Sequence, residues 1–163
     1  MIMTQRLIVA IIFIIGVYIS GYAVEKTYKK IYSQNGQLEA EGWVIGSLKT
    51  GYWNFYHENG TVAEKGAFKN NQRNGYWFFF RDNKDTIKEG HYKNGIAVGW
   101  WVYNNDILGQ TEKCQYKKDQ KQGYCFYYRN KKLFRAEKYE SGEKTKEWTN
   151  LAGFIADNPN PKF

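Results

Sequence analysis

With 163 residues, the chain has room for one domain and no space for a second, catalytic one. Aromatic residues make up 18% of it, against two Met and two Pro, which favours short strands with ring side chains over a helical bundle. The formal net charge of +8 favours anionic partners but does not by itself indicate nucleic acid. Two cysteines are too few for a disulfide framework and lack the spacing of metal ligands.

Residues 7–24 form an apolar run without a charged side chain. As a helix this run would span about 27 Å, just short of the roughly 30 Å hydrocarbon core of a bilayer. Two interpretations stay open: a retained transmembrane anchor, favoured by the length of the run, or a signal peptide cleaved after Ala23. Basic residues lie on both sides, so the positive-inside rule does not decide the orientation. We expect a membrane-anchored domain on the periplasmic or extracytoplasmic side, or a secreted one.

The segment after residue 24 repeats itself every 24 residues. Four glycines hold this spacing and each opens an aromatic segment: Gly51, Gly75, Gly99 and Gly123. A second glycine column precedes them at Gly42, Gly66 and Gly90, and is continued less faithfully by Cys114 and Lys138. Such regularity is typical of a repeat architecture.

Each repeat contains two extended segments joined by a polar connection, which indicates a β-hairpin. We therefore predict an all-β fold, an open single-sheet antiparallel meander of stacked hairpins. Strand alternation places Trp53, Trp77 and Trp101 on one face, which we take as the core. The opposite face is also rich in rings, so it either holds a second buried layer or exposes a surface for a partner. We expect the glycines to occupy positions with positive φ, or positions under a neighbouring ring.

The pattern resembles the MORN repeat in its bacterial variant form, in which Gly-x-Tyr or Gly-x-Phe is followed by Gly-x-Trp-x-x-Tyr. The matching pieces are Gly66-Ala67-Phe68 with Gly75-Tyr76-Trp77, and Gly90-His91-Tyr92 with Gly99-Trp100-Trp101. The likeness covers residues 31–148, while the fourth unit departs from it with Cys114 and Cys125. It implies a hairpin-stacked scaffold for protein contacts or lipid headgroups, without catalytic residues, and some relatives carry an antitoxin label.

Basic residues form further columns at the same period. Lys69, Lys93 and Lys117 share one column, and Lys49, Arg73 and Lys121 share a neighbouring one. Equivalent side chains should lie about 10 Å apart, close to one Debye length, so their mutual repulsion is largely screened. This stripe either contacts acidic lipid headgroups or an acidic partner, or forms a solvated edge that keeps sheets from pairing.

The cysteines and histidines give weaker signals. Cys114 and Cys125 lie in the two strands of one hairpin, and the repeat pattern predicts the same face and a diagonal relation. They form either a disulfide or a pair of small apolar residues. His57 lies in a predicted turn and His91 in a strand, and no nucleophile is tied to either by spacing.

These observations divide the chain into three segments: residues 1–24 as anchor or signal peptide, 25–148 as the repeat domain, and 149–163 as cap and tail. Leu151, Phe154 and Ile155 are the expected cap residues. We expect a non-enzymatic scaffold, without cofactor or metal, that binds an unidentified protein along the aromatic face or a sheet edge. Anionic phospholipid binding is the alternative. Single-stranded nucleic acid ranks third, because the amino-terminal run would place the domain at or beyond a membrane.

Overall fold

The computed structural model describes residues 24–159, which form one antiparallel sheet of 11 strands and one short helix. The strands are β1 (Lys26–Tyr32), β2 (Leu38–Ile45), β3 (Leu48–Tyr56), β4 (Val62–Lys69), β5 (Gln72–Phe80), β6 (Thr86–Lys93), β7 (Ile96–Asn105), β8 (Gln110–Lys117), β9 (Gln120–Arg129), β10 (Lys132–Glu140) and β11 (Glu143–Trp148), and the helix is α1 (Leu151–Asp157). Each strand pairs with its sequence neighbours in the order β1 to β11. The predicted open meander is thus confirmed, while the predicted amino-terminal helix lies outside the described residues.

Two-residue turns connect the strands along one edge of the sheet. In the β4–β5 turn, Asn70 and Asn71 have φ of 50° and 63°. In the β8–β9 turn, Lys118 and Asp119 have φ of 53° and 64°. Two consecutive positive values are typical of type I′ turns, whose twist matches that of the flanking strands. Most connections at the opposite edge are longer, such as residues 57–61.

The turns of one hairpin also bond to the preceding hairpin. The amide of Asn71 donates to the carbonyl of Lys49 at 3.0 Å, and the Asn71 Oδ1 accepts from the Lys49 amide at 2.6 Å. Asp119 makes the equivalent pair with Ala97, at 3.2 Å and 2.7 Å. These bonds satisfy backbone groups between successive hairpins and hold the repeats in register.

The two glycine columns have different structural causes. Gly66 lies directly opposite Trp77, and a Cβ there would overlap the indole ring. Gly42 and Gly90 are in the same position under Trp53 and Trp101. By contrast, Gly75 has a φ of +89° with open space around it, so its requirement is conformational. Both predicted reasons for glycine are therefore confirmed, each for one column.

The tryptophans of these pairs form the core. Trp53, Trp77 and Trp101 are almost fully buried. Their indole Nε1 atoms donate to the carbonyls of Trp43, Ala67 and His91, at 2.8, 3.0 and 3.2 Å. Each buried indole thus finds an acceptor in the hairpin strand that precedes it, as burial of a polar N–H requires.

Candidate interaction surface

The sheet has two faces of different character. We call the face of Trp53, Trp77 and Trp101 the ring face. We call the opposite face the open face. Its rings include Tyr28, Trp43, Tyr52, Tyr56, Tyr76, Phe78, Phe80, Trp100, Tyr124, Phe126, Tyr128 and Trp148. The distinction matters because only one of the two faces leaves large rings accessible.

The tryptophans of the ring face are covered by other aromatic rings and by basic side chains of the same chain. Phe68 packs edge-on against Trp77 with centroids 5.0 Å apart, and Tyr92 packs likewise against Trp101 at 4.9 Å. The Arg73 guanidinium carbon lies 4.6 Å from the Trp77 ring centroid. This face is already occupied by its own side chains and offers little free apolar surface.

One of the two predicted basic columns belongs to this closed face. Lys49 lies 4.8 Å from the ring centroid of Trp53. Arg73 forms an ion pair with Glu64 at 2.7 Å, and Lys121 forms one with Glu112 at 2.7 Å. Lys49, Arg73 and Lys121 therefore cover rings or neutralise carboxylates.

The other basic column lies on the opposite side. Lys69, Lys93 and Lys117 are exposed and end β4, β6 and β8 directly before the two-residue turns. Each follows a ring-face aromatic residue, so alternation directs it to the open face. The structure thus does not join the two columns into one stripe. Lys69, Lys93 and Lys117 instead form a rim of the open face, at the strand ends next to the two-residue turns.

The open face is exposed over its amino-terminal part. Tyr28, Trp43, Tyr52 and Tyr76 retain between 37% and 48% of their accessible surface. Tyr56 is less exposed, and its hydroxyl donates to Glu41 at 2.6 Å. Burial, with this hydrogen bond, raises the pKa of Tyr56 to about 12, so the hydroxyl stays protonated. Neutral rings without a covering layer are the chief feature of this region.

The carboxyl-terminal part of the open face is covered by α1. Phe154 is buried there against Tyr124, Phe126 and Trp148, with centroid distances of 5.6, 5.4 and 5.2 Å. Of the three predicted cap residues, Phe154 makes these contacts while Leu151 and Ile155 stay exposed. The face thus carries a second buried layer at one end and an accessible aromatic surface over the rest.

The fourth unit contains a disulfide between Cys114 and Cys125. The two residues are direct cross-strand partners, so the predicted diagonal relation is wrong. A register shift between Cys114 and Tyr116 accounts for the difference, because the extra residues of the bulge realign the strands. The disulfide therefore occupies the place of the Gly–Trp pair of the preceding units. The Glu112 carboxylate lies 3.1 Å from the Cys114 sulfur, but both sulfurs are committed to the bond.

Beyond the disulfide, a polar cluster that sequence reasoning missed continues the ring face. Glu137 is 3% exposed and accepts hydrogen bonds from Tyr127 and Tyr139, at 2.7 and 2.8 Å. Burial alone would raise the pKa of Glu137, but these bonds, with Arg135 and Lys144, lower it overall. A cleft of about 290 Å³ borders the cluster beside Glu112 and Arg135. The only sequence signal was the loss of the Trp column after the third unit.

The histidines make structural contacts. The Nε2 atom of His57 lies 2.9 Å from the carbonyl oxygen of Phe80, which links neighbouring hairpins. His91 packs edge-on against Tyr76, with ring centroids 4.8 Å apart. Both imidazoles thus have positions that packing alone explains.

No protein-family model and no curated protein matches the chain. The structure defines the class as an open, single-sheet β-hairpin repeat protein. The MORN resemblance stays a prediction from the sequence motifs. Within residues 24–159, no helix has the length and apolar character that a bilayer crossing needs.

Proposed function

We propose that the chain is a non-enzymatic repeat scaffold that binds another protein along its open face. The observation that carries this proposal is the row of exposed rings formed by Tyr28, Trp43, Tyr52 and Tyr76. Contiguous aromatic surface of this kind is enriched at protein–protein contacts, and buried Tyr and Trp dominate their binding energy. The ring face supports the scaffold rather than the contact, because its own side chains close it.

The charges around the open face favour a partner with acidic groups at its margin. Lys69, Lys93 and Lys117 form the rim, and equivalent residues of successive hairpins lie about 10 Å apart. Their fields add at a partner surface and accelerate its approach, mostly at low ionic strength. The apolar run at residues 7–24 supports attachment beside a membrane, and the resemblance to MORN repeats supports a scaffold role, including one toward a toxin-like partner.

The test compares partners of the full chain and of a variant with Tyr52→Ser and Tyr76→Ser. We expect that at least one protein co-purifies with the parent from native cells, and that its recovered amount is at least tenfold lower with the variant. That protein, once purified, should bind the parent directly and the variant at least tenfold more weakly, since two exposed rings are lost. Ile107→Ser is the control, because Ile107 is exposed in the 3₁₀ turn Asp106–Leu108. If no partner distinguishes the double variant from this control, the proposal is wrong.

The rim also supports a second candidate function, binding of anionic phospholipid. The specific observation is that Lys69, Lys93 and Lys117 are exposed at a single edge. The full chain is incorporated into liposomes, and capture of separate anionic vesicles is measured at low and physiological salt. Reversal of the three lysines to Glu should abolish a salt-sensitive capture.

The matched control for lipid capture reverses three exposed lysines of the opposite edge, Lys84, Lys131 and Lys132. This variant has the same net charge change but leaves the rim intact. If both triple variants capture vesicles equally, the rim has no lipid role, and the protein-binding proposal stands without it.

A further inference from the structure

We propose that the rings of β5 form a second helix-binding site, occupied by a helical segment of another protein that carries an aromatic residue. This inference rests on the proposed scaffold function and names the kind of partner. We call the surface of Tyr76, Phe78 and Phe80 the β5 site. We call the surface of Tyr124, Phe126 and Tyr128, which α1 covers, the β9 site.

The β9 site shows how this sheet binds a helix. Phe154 of α1 meets Tyr124, Phe126 and Trp148 edge to face, at interplanar angles of 88° or 89°. The Asp157 carboxylate of α1 then accepts from the Trp148 indole at 2.7 Å. Asp157 also pairs with Lys146 at 2.9 Å, and the Tyr124 hydroxyl donates to Asn158 at 2.7 Å. One inserted ring and several polar contacts thus hold this helix of 7 residues, which follows directly after β11.

The β5 site carries rings at the same three strand positions as the β9 site, two units earlier. The rings are oriented differently, since Tyr76 and Phe78 lie at 58° and 4.9 Å while the equivalent Tyr124 and Phe126 lie at 10° and 6.1 Å. Lysines pair across the strand in the same places, Lys65 opposite Phe78 and Lys113 opposite Phe126. The equivalent positions of β3 and β7 carry Asn54 and Val102 in place of the central ring. Among the described strands, β5 and β9 thus share this row of three rings.

The two sites differ in whether this chain covers them. Phe126 at the centre of the β9 site is 7% exposed under α1. No helix of residues 24–159 lies over the β5 site, where Tyr76 is 37% exposed. The same row of rings thus occurs twice, and within residues 24–159 only the copy on β9 is covered by a helix.

Two differences between the sites define the occupant further. The position of Trp148, which pairs with Ala136 and contacts Phe154, is held by Val102 in the β5 site. Ala136 faces Phe126 in the β9 site and leaves room beside Phe154, whereas Glu89 faces Phe78 in the β5 site. A helix that approaches the β5 site therefore meets a carboxylate on the β6 side, while on the β4 side the Lys65 ammonium lies 5.4 and 5.3 Å from the ring centroids of Phe78 and Phe80. We infer a partner helix that carries a basic residue next to its aromatic one.

The experiment uses the chain's own helix as the probe. A fluorescein-labelled peptide with residues 149–158, stapled between positions 152 and 156 to hold it helical, is titrated with the full chain and followed by anisotropy. The staple replaces two alanines that are exposed in α1. We expect measurable binding to the parent, and at least threefold tighter binding to Glu89→Ala, which reproduces Ala136 in the β5 site.

The loss variant is Phe78→Asn, which places at the β5 site the residue that β3 carries at the equivalent position. We expect at least fivefold weaker binding, with a thermal melt that confirms folding. Ile107→Asn is the protein control, and a peptide with Phe154→Ala is the probe control. Equal binding by Phe78→Asn and parent would overturn the β5 site, and so would no binding to either the parent or Glu89→Ala. If peptide binding is lost only with Phe126→Asn, the peptide has replaced α1 at the β9 site, and this result would also overturn the β5 site.

The two proposals fail in distinguishable ways. A native partner that depends on Tyr52 and Tyr76, together with a peptide that ignores Phe78, would retain the scaffold and reject the helix site. If the peptide depends on Phe78 while no native protein depends on Tyr52 and Tyr76, the site binds helices but the scaffold function fails.

Discussion

Single residues show that the repeat needs glycine for two separate reasons. At Gly66 any side chain would displace the buried Trp77, whereas at Gly75 a side chain meets open space but a positive φ. We predict that Gly66→Ala lowers the free energy of unfolding by about 3 kcal/mol or more, as loss of buried aromatic packing does. Gly75→Ala should cost about 1–2 kcal/mol of backbone strain. Urea unfolding measures both.

Asparagine separates the two glycine effects. Gly75→Asn should recover part of the loss seen with Gly75→Ala, because Asn tolerates positive φ better than other residues. Gly66→Asn should be no better than Gly66→Ala, since its side chain also meets the indole. The explanation fails if asparagine helps equally at both positions.

Glu137 should make stability depend on acid pH. Its folded pKa lies below the ordinary value of 4.5, so its stabilising contribution is complete above that pH and is lost as the pH falls through the folded pKa. We predict that the parent loses stability more steeply below about pH 4.5 than Glu137→Gln does. At pH 7 the variant should be less stable by about 1–3 kcal/mol, because Arg135 and Lys144 lose their counter-charge.

Thermal melts between pH 7 and pH 3 test this prediction for Glu137. Glu140→Gln is a suitable control, because this exposed neighbour pairs with Lys138 at the surface. Parallel pH profiles for the parent and Glu137→Gln would show that Glu137 does not carry the acid sensitivity.

At the scale of strands, the disulfide and the Gly–Trp pair are alternative ways to join the same two positions of a hairpin. Cys125→Trp alone should destabilise the fourth unit, because the indole would overlap the side chain at position 114, as it would at Gly66. Adding Cys114→Gly removes that overlap. We predict that the double variant is more stable than Cys125→Trp by at least about 1 kcal/mol, a coupling typical of contacting residues.

A double-mutant cycle for positions 114 and 125 measures the free energy of unfolding in urea for the parent, both single variants and the double variant. Reduced parent protein serves as the control for loss of the disulfide itself. If Cys114→Gly fails to improve Cys125→Trp, the fourth unit has diverged too far to accept the pair, and its equivalence to the others is rejected.

The strands themselves were predictable, while their detailed register was not. The 24-residue glycine spacing and the alternation around Trp77 were sufficient to predict hairpins, the meander and the core face. The bulge beside Cys114 could not be predicted from the sequence, since it depends on which residues have no cross-strand partner. The same limit explains why the cysteines were expected on a diagonal.

For the molecule as a whole, the sequence indicated an accessible aromatic face but not which part of it is covered. Phe154 was a candidate cap residue, yet its place against Phe126 follows from the path of the chain after β11. The two basic columns shared one period, yet alternation within the strands separates them, because Lys69 follows the ring-face residue Phe68 while Lys49 lies over Trp53. The cluster around Glu137 lies where the repeat pattern weakens, so periodicity gave no information there.

The bonds from Asn71 to Lys49 and from Asp119 to Ala97 have a consequence for how such a protein changes length. The backbone part of this contact recurs, since the amides of Asn71, Gly95, Asp119 and Gly142 each donate to a carbonyl of the preceding hairpin. Gain or loss of one complete unit would therefore leave these backbone bonds satisfied at the remaining junctions. The length of the open face could then change during evolution by whole units, in steps of about 10 Å per unit. A shorter or frameshifted insertion would break this register, so variation in length should come in whole units.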